Sequence, residues 1–328
     1  MESSRKWLKG DTHLHTINSD GELTPEQLIQ ALQKKGLDWA IITDHNYPAA
    51  DSPRMENDLL LIQGEEVTGR GGHFNVWGIK MPVKAPYKLT LFEDFLSLID
   101  IAKEAGGVVS VNHPFCKNHG WHFPIDDVDF DCAEIWNAPM HFDDLTNIKW
   151  WHNRLLEGKR IAAVGGSDYH KDFVITDLLA MPTTFVYAKS NTQQDILDAL
   201  KCGHSFITQG PEKTRLYITC GEAFPGCEVE WAPGMEVNVK AERIKRGHRL
   251  IVYNNNRILA DIKAKKFGTL ETKVAVEEKG FVRAQVIYEF KPLSRPVYRA
   301  VLKKVMPKDL GNPILPFVYC FTNPIFFS

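Results

Sequence analysis

Asp11-Thr12-His13-Leu14-His15 is answered by Thr43-Asp44-His45-Asn46 and, far downstream, by Gly166-Ser167-Asp168-Tyr169-His170. Each of the three stretches sits where a hydrophobic, strand-like run ends. Imidazoles and carboxylates at strand ends are how an α/β barrel assembles a polar site from distant parts of its chain.

Outward from these stretches, strand and helix signals alternate. A strand is predicted over 8–15. Thr24 caps a helix, with Pro25 in its first turn, Gln27 three residues after the cap and Gly36 at its end. Further strands are predicted over 39–43, 59–63 and 74–79, the second continuously apolar as expected when both faces are buried. Thr90 and Glu93 form a second capping box, opening a helix that runs to Gly106-Gly107. Strands over 108–111, 132–136, 161–164 and 183–187 follow, with helices over 147–157 and 192–201. This order predicts a parallel barrel or a related layered α/β domain over 1–210.

Beyond Gln209-Gly210-Pro211 the helix signals vanish. Alternating or β-branched runs over 215–219, 236–240, 248–253, 270–276, 281–288 and 297–301 are separated by turn clusters such as Asn254-Asn255-Asn256. They predict a small antiparallel β-sandwich over 211–328. The run 317–321 is apolar enough for a final buried strand docked on the barrel.

The 328 residues, 44% hydrophobic and 24% charged, suit one large domain plus a small one. With 39 basic and 41 acidic residues the net charge is −2, which disfavours a polyanion-binding surface. No apolar run reaches the roughly 18 residues of a spanning helix, and 1–6 does not read as a signal peptide, so no membrane partner is expected. Six cysteines are scattered without a CxxC pair, which argues against a zinc ribbon. Cys220 and Cys227 could bridge a hairpin, but free thiols in a cytoplasmic protein are the preferred reading.

A lone histidine is usually a hydrogen-bonded structural residue. His119, His122, His141, His152, His204 and His248 take that reading, with His122 and His141 also placed to line a cleft. His13 and His15 differ, because residues two apart on a strand share a face. Asp20 follows in a Gly-containing loop, Asp44-His45 and Glu65-Glu66 end strands, and His73 follows Gly71-Gly72, where backbone can approach a ligand. His113-Pro114 ends another strand, and Asp168 and His170 another. Imidazole and carboxylate without thiolate suit Zn, Mn or Fe. So many ligands exceed what one ion takes, so two to three divalent transition-metal ions are expected, with a bridging carboxylate for which Glu66 is the candidate.

The ordered elements His13-Leu14-His15, Asp20-Gly21, Thr43-Asp44-His45, Gly64-Glu65-Glu66, Gly72-His73, Asn112-His113-Pro114 and Gly166-Ser167-Asp168-Tyr169-His170 resemble the PHP (polymerase and histidinol phosphatase) superfamily. Gly72-His73-Phe74-Asn75-Val76-Trp77-Gly78 and Thr322-Asn323-Pro324-Ile325 are similar to its carbaryl-hydrolase-like branch, in which a β-domain follows the barrel. The resemblance implies a distorted (β/α)7 TIM-like barrel with a trinuclear centre. His13, His15, Glu66 and Asp168 would hold one ion, Glu66, His73 and His113 a second, and Asp20, His45 and His170 a third. The family's Gly-x-Glu pattern assigns bridging to Glu66 rather than Glu65, and leaves Glu134 and Asn137 a supporting role.

The chemistry this implies is hydrolysis of a phosphate ester by a metal-activated hydroxide, with Glu66, Asp168 and His170 as the catalytic set and Asp168 or His170 shuttling a proton. No GxSxG element points to an α/β-hydrolase. His122 or His141 could protonate the leaving group. Arg70, Lys117 and Lys171 lie near ligand motifs but read better as solvated charges. The expected partner is a small-molecule phosphate ester. The alternatives are a carboxylic or carbamate ester on the same metal site, an oligonucleotide phosphodiesterase, which the lack of a basic stripe disfavours, or a binding module. Oligomeric state stays open. The loops 46–58 and 114–131 are where specificity is expected.

Overall fold

Two parallel strand sets and the antiparallel hairpins between them carry the polar cluster. The computed structural model describes residues 5–48, 52–81, 89–140, 142–172, 177–288 and 317–328, with three positions between 296 and 300. Strands Lys6–Asp11, Trp39–Ile41 and Leu59–Ile62 run parallel, and so do Val108–Val111, Cys132–Asn137 and Ala162–Gly166. Leu59–Ile62 is buried along its whole length, as its continuous apolar run predicts. Between the sets lies the antiparallel hairpin Gly64–Gly69 with Gly72–Trp77.

Gly64 marks the point where the chain leaves one sheet for the other. A Cβ there would lie 2.4 Å from Ile41 Cγ2 and 2.9 Å from the Ile42 carbonyl, so only glycine permits the crossing.

The closed parallel barrel is not what forms. Among the described residues the strands divide into a large sheet, a five-stranded sheet and a three-stranded sheet. The first strand pairs antiparallel with Thr183–Ala188 rather than closing on Ala162–Gly166. At that seam, side-chain hydroxyls replace the backbone ladder. Thr184 Oγ1 bonds both the Gly165 N–H and its carbonyl (3.0 and 2.8 Å), and Thr12 Oγ1 donates to the same carbonyl at 3.2 Å. The described chain is sheet-rich, with four α-helices.

Those helices follow their caps unevenly. At Pro25–Lys34 the capping box is complete: Gln27 N donates to Thr24 Oγ1 and Thr24 N to Gln27 Oε1. Its buried Leu28, Ile29 and Leu32 pack with Leu14, Ile42 and Tyr169, beneath the His13–His15 segment. Gln193–Lys201 is capped by Thr192. The second expected box fails. Helix Phe92–Glu104 has Leu91 at its N-cap, with no side-chain cap bond. Leu89 is buried, and its carbonyl accepts Arg70 N at 2.8 Å, which leaves Thr90 exposed. Helix Phe142–Leu156 begins about a turn before the expected 147, with Asp143 and Asp144 favourably placed in its first turn.

Strands Arg215–Thr219, Glu236–Ile244 and Gly268–Ala275 form one layer. They pack through Leu216, Ile218, Val237 and Val239 against Leu250, Val252, Val282 and Val286 of the facing layer. That facing layer is continuous with the large sheet, because Phe317–Thr322 pairs both with Ser205–Thr208 and with Gly280–Tyr288. The final apolar run is thus an interior strand. The strand expected over 297–301 does not form where it is described: positions 297 and 300 are helical, and the rest of that range lies outside the described residues. All six cysteines are free. No described helix is long and apolar enough to cross a membrane.

Candidate metal centre

The site forms where the loops leaving the parallel strands are drawn together by single bridges. Leu14 pairs with Tyr169 and His45 with Glu66. Thr43 N donates to the Leu14 carbonyl and Asn46 N to that of Glu66, both at 2.8 Å. Gly166 allows the closest approach. A Cβ there would stand 2.4 Å from Glu134 Oε1 and 2.5 Å from His13 Cβ. Asn46, His113, Ala138 and Asp168 all have φ between 30° and 50°. Non-glycine residues in this region are strained, and such strain collects at functional sites.

Nine side chains converge. Glu66 is fully buried, with Oε1 2.8 Å from Asn112 Nδ2, 3.0 Å from His73 Nδ1 and 3.8 Å from His113 Nε2. Its Oε2 lies 2.7 Å from His45 Nδ1, 3.4 Å from His13 Nε2 and 3.5 Å from His15 Nε2. Asp168 Oδ1 stands 3.1 Å from His15 Nε2, 3.3 Å from His13 Nε2 and 3.6 Å from His170 Nδ1. Asp20 Oδ1 is 3.0 Å from His170 Nε2 and 3.6 Å from His45 Nε2.

Three sets offer ligand atoms mutually within 4.8 Å: His15, Asp20, His45 and His170; His13, His15 and Asp168; and His45, Glu66 and His73. They overlap at His15 and His45. All nine residues expected as ligands, His13, His15, Asp20, His45, Glu66, His73, His113, Asp168 and His170, are brought together; His113 reaches the cluster through Glu66 without joining a set.

Charge in this cluster is balanced internally. Burial opposes the charge on Glu66, yet His45, His13 and His73 hold its carboxyl well below the usual range. Asp168, partly exposed at the cleft, has its carboxyl held low by His13, His15 and His170 against the opposing effect of burial. Burial works against a charge on His45 too, but Glu66 and Asp20 override it and push it up to about 10; Asp168 and Asp20 lift His170 to about 9 in the same way. His15 goes down to about 4 because burial, aided by His170, prevails.

Even so, these close neighbours give His13 Nε2, His15 Nε2 and Glu66 Oε2 no well-directed hydrogen bond. Native interiors rarely leave such atoms unsatisfied. Three of them facing one another, of imidazole and carboxylate type, fit a divalent cation.

Several supporting residues lie one or two positions from these motifs. Glu134 Oε1 accepts from His13 Nδ1 at 3.0 Å, orienting the ring, and Asn137 Nδ2 donates to Glu134 Oε2. Asp11 accepts from Ser167 N and Oγ, tying the first strand to the Asp168 turn; burial pushes its carboxyl up to about 7. Asp44 accepts from Thr16 N, Thr16 Oγ1 and Ser19 Oγ, which shapes the loop bearing Asp20. Glu65 points to the other face of its strand. It is buried without a hydrogen-bond partner, and burial raises its carboxyl to about 7.

The cluster floors a cleft of about 790 Å³, whose wall includes Glu22, Cys116, His119, Tyr169, Lys171 and Leu178. His119, expected to be structural, therefore lines the cleft. His122 is exposed and outside the lining, and His141 lies outside the described residues. Lys171 reaches the cleft but pairs with Glu22 at 3.2 Å, while Arg70 and Lys117 are exposed away from it.

No family model matches the chain. It is 28% identical to an uncharacterized protein of Methanocaldococcus jannaschii over 159 residues, which are 43% of this chain and 87% of that protein. It is also 28% identical over 98 residues to the DNA polymerase/3'-5' exonuclease PolX of Bacillus subtilis, covering 29% of this chain and only 17% of PolX. Its structure superposes on a two-domain protein from Bacteroides vulgatus containing a predicted PHP-like metal-dependent phosphoesterase. The TM-score is 0.51 at 19% identity, over 96% of this chain and 95% of that one.

Proposed function

We propose, on this two-domain PHP-like fold, that the protein is a metal-dependent phosphoesterase acting on a small-molecule phosphate ester. The observation that carries the reading is the convergence of buried His13 Nε2 and His15 Nε2 on Glu66 Oε2, 3.4 and 3.5 Å away, with none of the three atoms in a well-directed hydrogen bond. Two to three divalent transition ions, Zn, Mn or Fe, would be held by His13, His15, Asp20, His45, Glu66, His73, His113, Asp168 and His170. Such ions acidify water to a pKa near 7 and neutralise charge on the ester oxygens.

The residues do the rest. Glu66 meets His45 through one carboxylate oxygen and His73 through the other. Glu134 fixes His13 in one orientation. Asp168 and His170, 3.6 Å apart at the cleft edge, are placed to hold and pass a proton. Glu66, Asp168 and His170 form the catalytic set. Residues 1–210 carry this machinery, and 211–328 form the companion β-domain. Six free thiols suit a reducing compartment such as the cytoplasm.

A carboxylic or carbamate ester is the second reading. One observation favours it: the cleft's one described ammonium, Lys171, is already paired with Glu22, and a neutral substrate needs no cationic clamp.

The test is elemental analysis of protein purified without chelator or affinity metal, paired with turnover of p-nitrophenyl phosphate, bis-p-nitrophenyl phosphate and p-nitrophenyl acetate. Two to three ions per chain and phosphate ester turnover lost in His15→Ala are expected. Turnover of the acetate alone moves the second reading ahead. Absence of metal that Mn, Zn or Fe cannot restore overturns both.

A further inference from the structure

The segment after His113 is held unusually firmly for a surface loop. Cys116 N donates to the His113 carbonyl and Trp121 N to the Pro114 carbonyl, both at 2.8 Å. Helix Phe142–Leu156 grips it from outside: Asn147 Oδ1 accepts Phe115 N, and Asp143 Oδ2 accepts Lys117 N, each at 3.0 Å. Gly120 is pressed against the loop's own backbone, where a Cβ would lie 2.4 Å from the Cys116 carbonyl. Trp121 anchors the far end edge-on against Phe95 and Phe130. The result is a rigid loop that presents Cys116 and His119 on the cleft wall.

His119 stands apart from the other cleft imidazoles. His45, His73, His113 and His170 each lie within 4 Å of a Glu66, Asp20 or Asp168 oxygen. Among the described residues the His119 side chain makes no hydrogen bond or ion pair; it belongs to none of the three donor sets and is solvent-exposed, with its ring 6.0 Å from that of His73. His13, His15, Glu66 and His113 are buried on the floor, and the exposed His119 stands nearer the mouth. An ester attacked from the floor expels its leaving oxygen in line, toward the mouth.

Resting on the phosphoesterase reading, we infer that His119 is the leaving-group residue: its imidazole N–H gives a proton to the departing ester oxygen. A water-derived oxygen forms the new P–O bond, and the ester P–O bond breaks with its electron pair going to the leaving oxygen. That oxygen takes the His119 proton, and solvent restores it. The wall groups outside the nine proposed ligands are placed less well: Tyr169 is buried, burial pushes up the Cys116 thiol, and Lys171 is held by Glu22.

The test compares His119→Asn with wild type on p-nitrophenyl phosphate and phenyl phosphate, with metal content measured on both proteins. A proton donor matters most when the leaving group is poor. We expect kcat on phenyl phosphate to fall on the order of 100-fold, kcat on p-nitrophenyl phosphate to change little, and metal content to stay constant. Equal losses on both substrates, no loss on either, or a parallel loss of metal each overturns the role given to His119. A wild-type protein that hydrolyses neither ester, with metal restored, overturns the phosphoesterase reading itself.

Discussion

Two buried polar clusters lie in the same molecule and are built on opposite terms. In the strand-end turn at Asn323, every side-chain atom is spoken for. Asn323 Oδ1 accepts Ala163 N, and its Nδ2 donates to the Ala163 carbonyl and to Ser205 Oγ, all at 2.8 Å. This side chain stitches the edge of the five-stranded sheet to the large sheet. At His13, His15 and Glu66 the polar atoms are as deeply buried, yet three have close charged neighbours without a well-directed hydrogen bond, and the backbone around them is strained. Full satisfaction marks polar groups that hold a fold together. Open imidazole and carboxylate atoms that face one another, unlike those of Glu65 alone on the other face of its strand, fit a ligand.

The comparison breaks most readily at Glu66. Glu66→Gln removes the carboxylate whose two oxygens meet His45 and His73. We expect at least one ion lost per chain by elemental analysis and hydrolysis reduced on the order of 1,000-fold. A variant with full metal content would show that the open atoms await something other than a cation.

Asn323→Ala tests the other side. Stranding the buried N–H and carbonyl of Ala163 should lower stability by roughly 3 kcal/mol in denaturant titration, with metal content per folded chain unchanged. Metal loss at matched folded fraction would mean that the two clusters are not separate in function. The smallest effect is expected at Thr24→Ala, which takes one cap from the helix under the His13–His15 segment. A loss of about 1 kcal/mol without change in KM is the outcome; a raised KM would show that the helix also tunes the cleft.

Much of this was legible in sequence for a local reason. Seven of the nine proposed ligands sit at the ends of predicted strands, with Asp20 in a Gly-containing loop and His73 just before a strand, and period-2 geometry puts His13 and His15 on one face before any tertiary contact forms. Thr24 and Thr192 cap the helices they precede because nothing distant competes. Thr90 matches the same pattern and fails, because burial of Leu89 and its tie to Arg70 fix the backbone elsewhere. Such a contact leaves no local mark. Glu65 and Glu66 could not be separated by spacing either, since the phase of a strand is set by what packs on each face.

The sequence by itself determined the alternation of elements, the all-β character of the last third and the residue types of the centre, because these depend on periodicity and on chemistry within a few positions. Only the tertiary structure decided that the strands part into sheets joined by Thr12 and Thr184 hydroxyls rather than closing as a barrel. It alone turned Glu66 inward and brought His119, not His122, to the cleft. Strand partners, and the direction of a loop side chain, are set by contacts between residues a hundred or more positions apart, and hydrophobic pattern does not encode them.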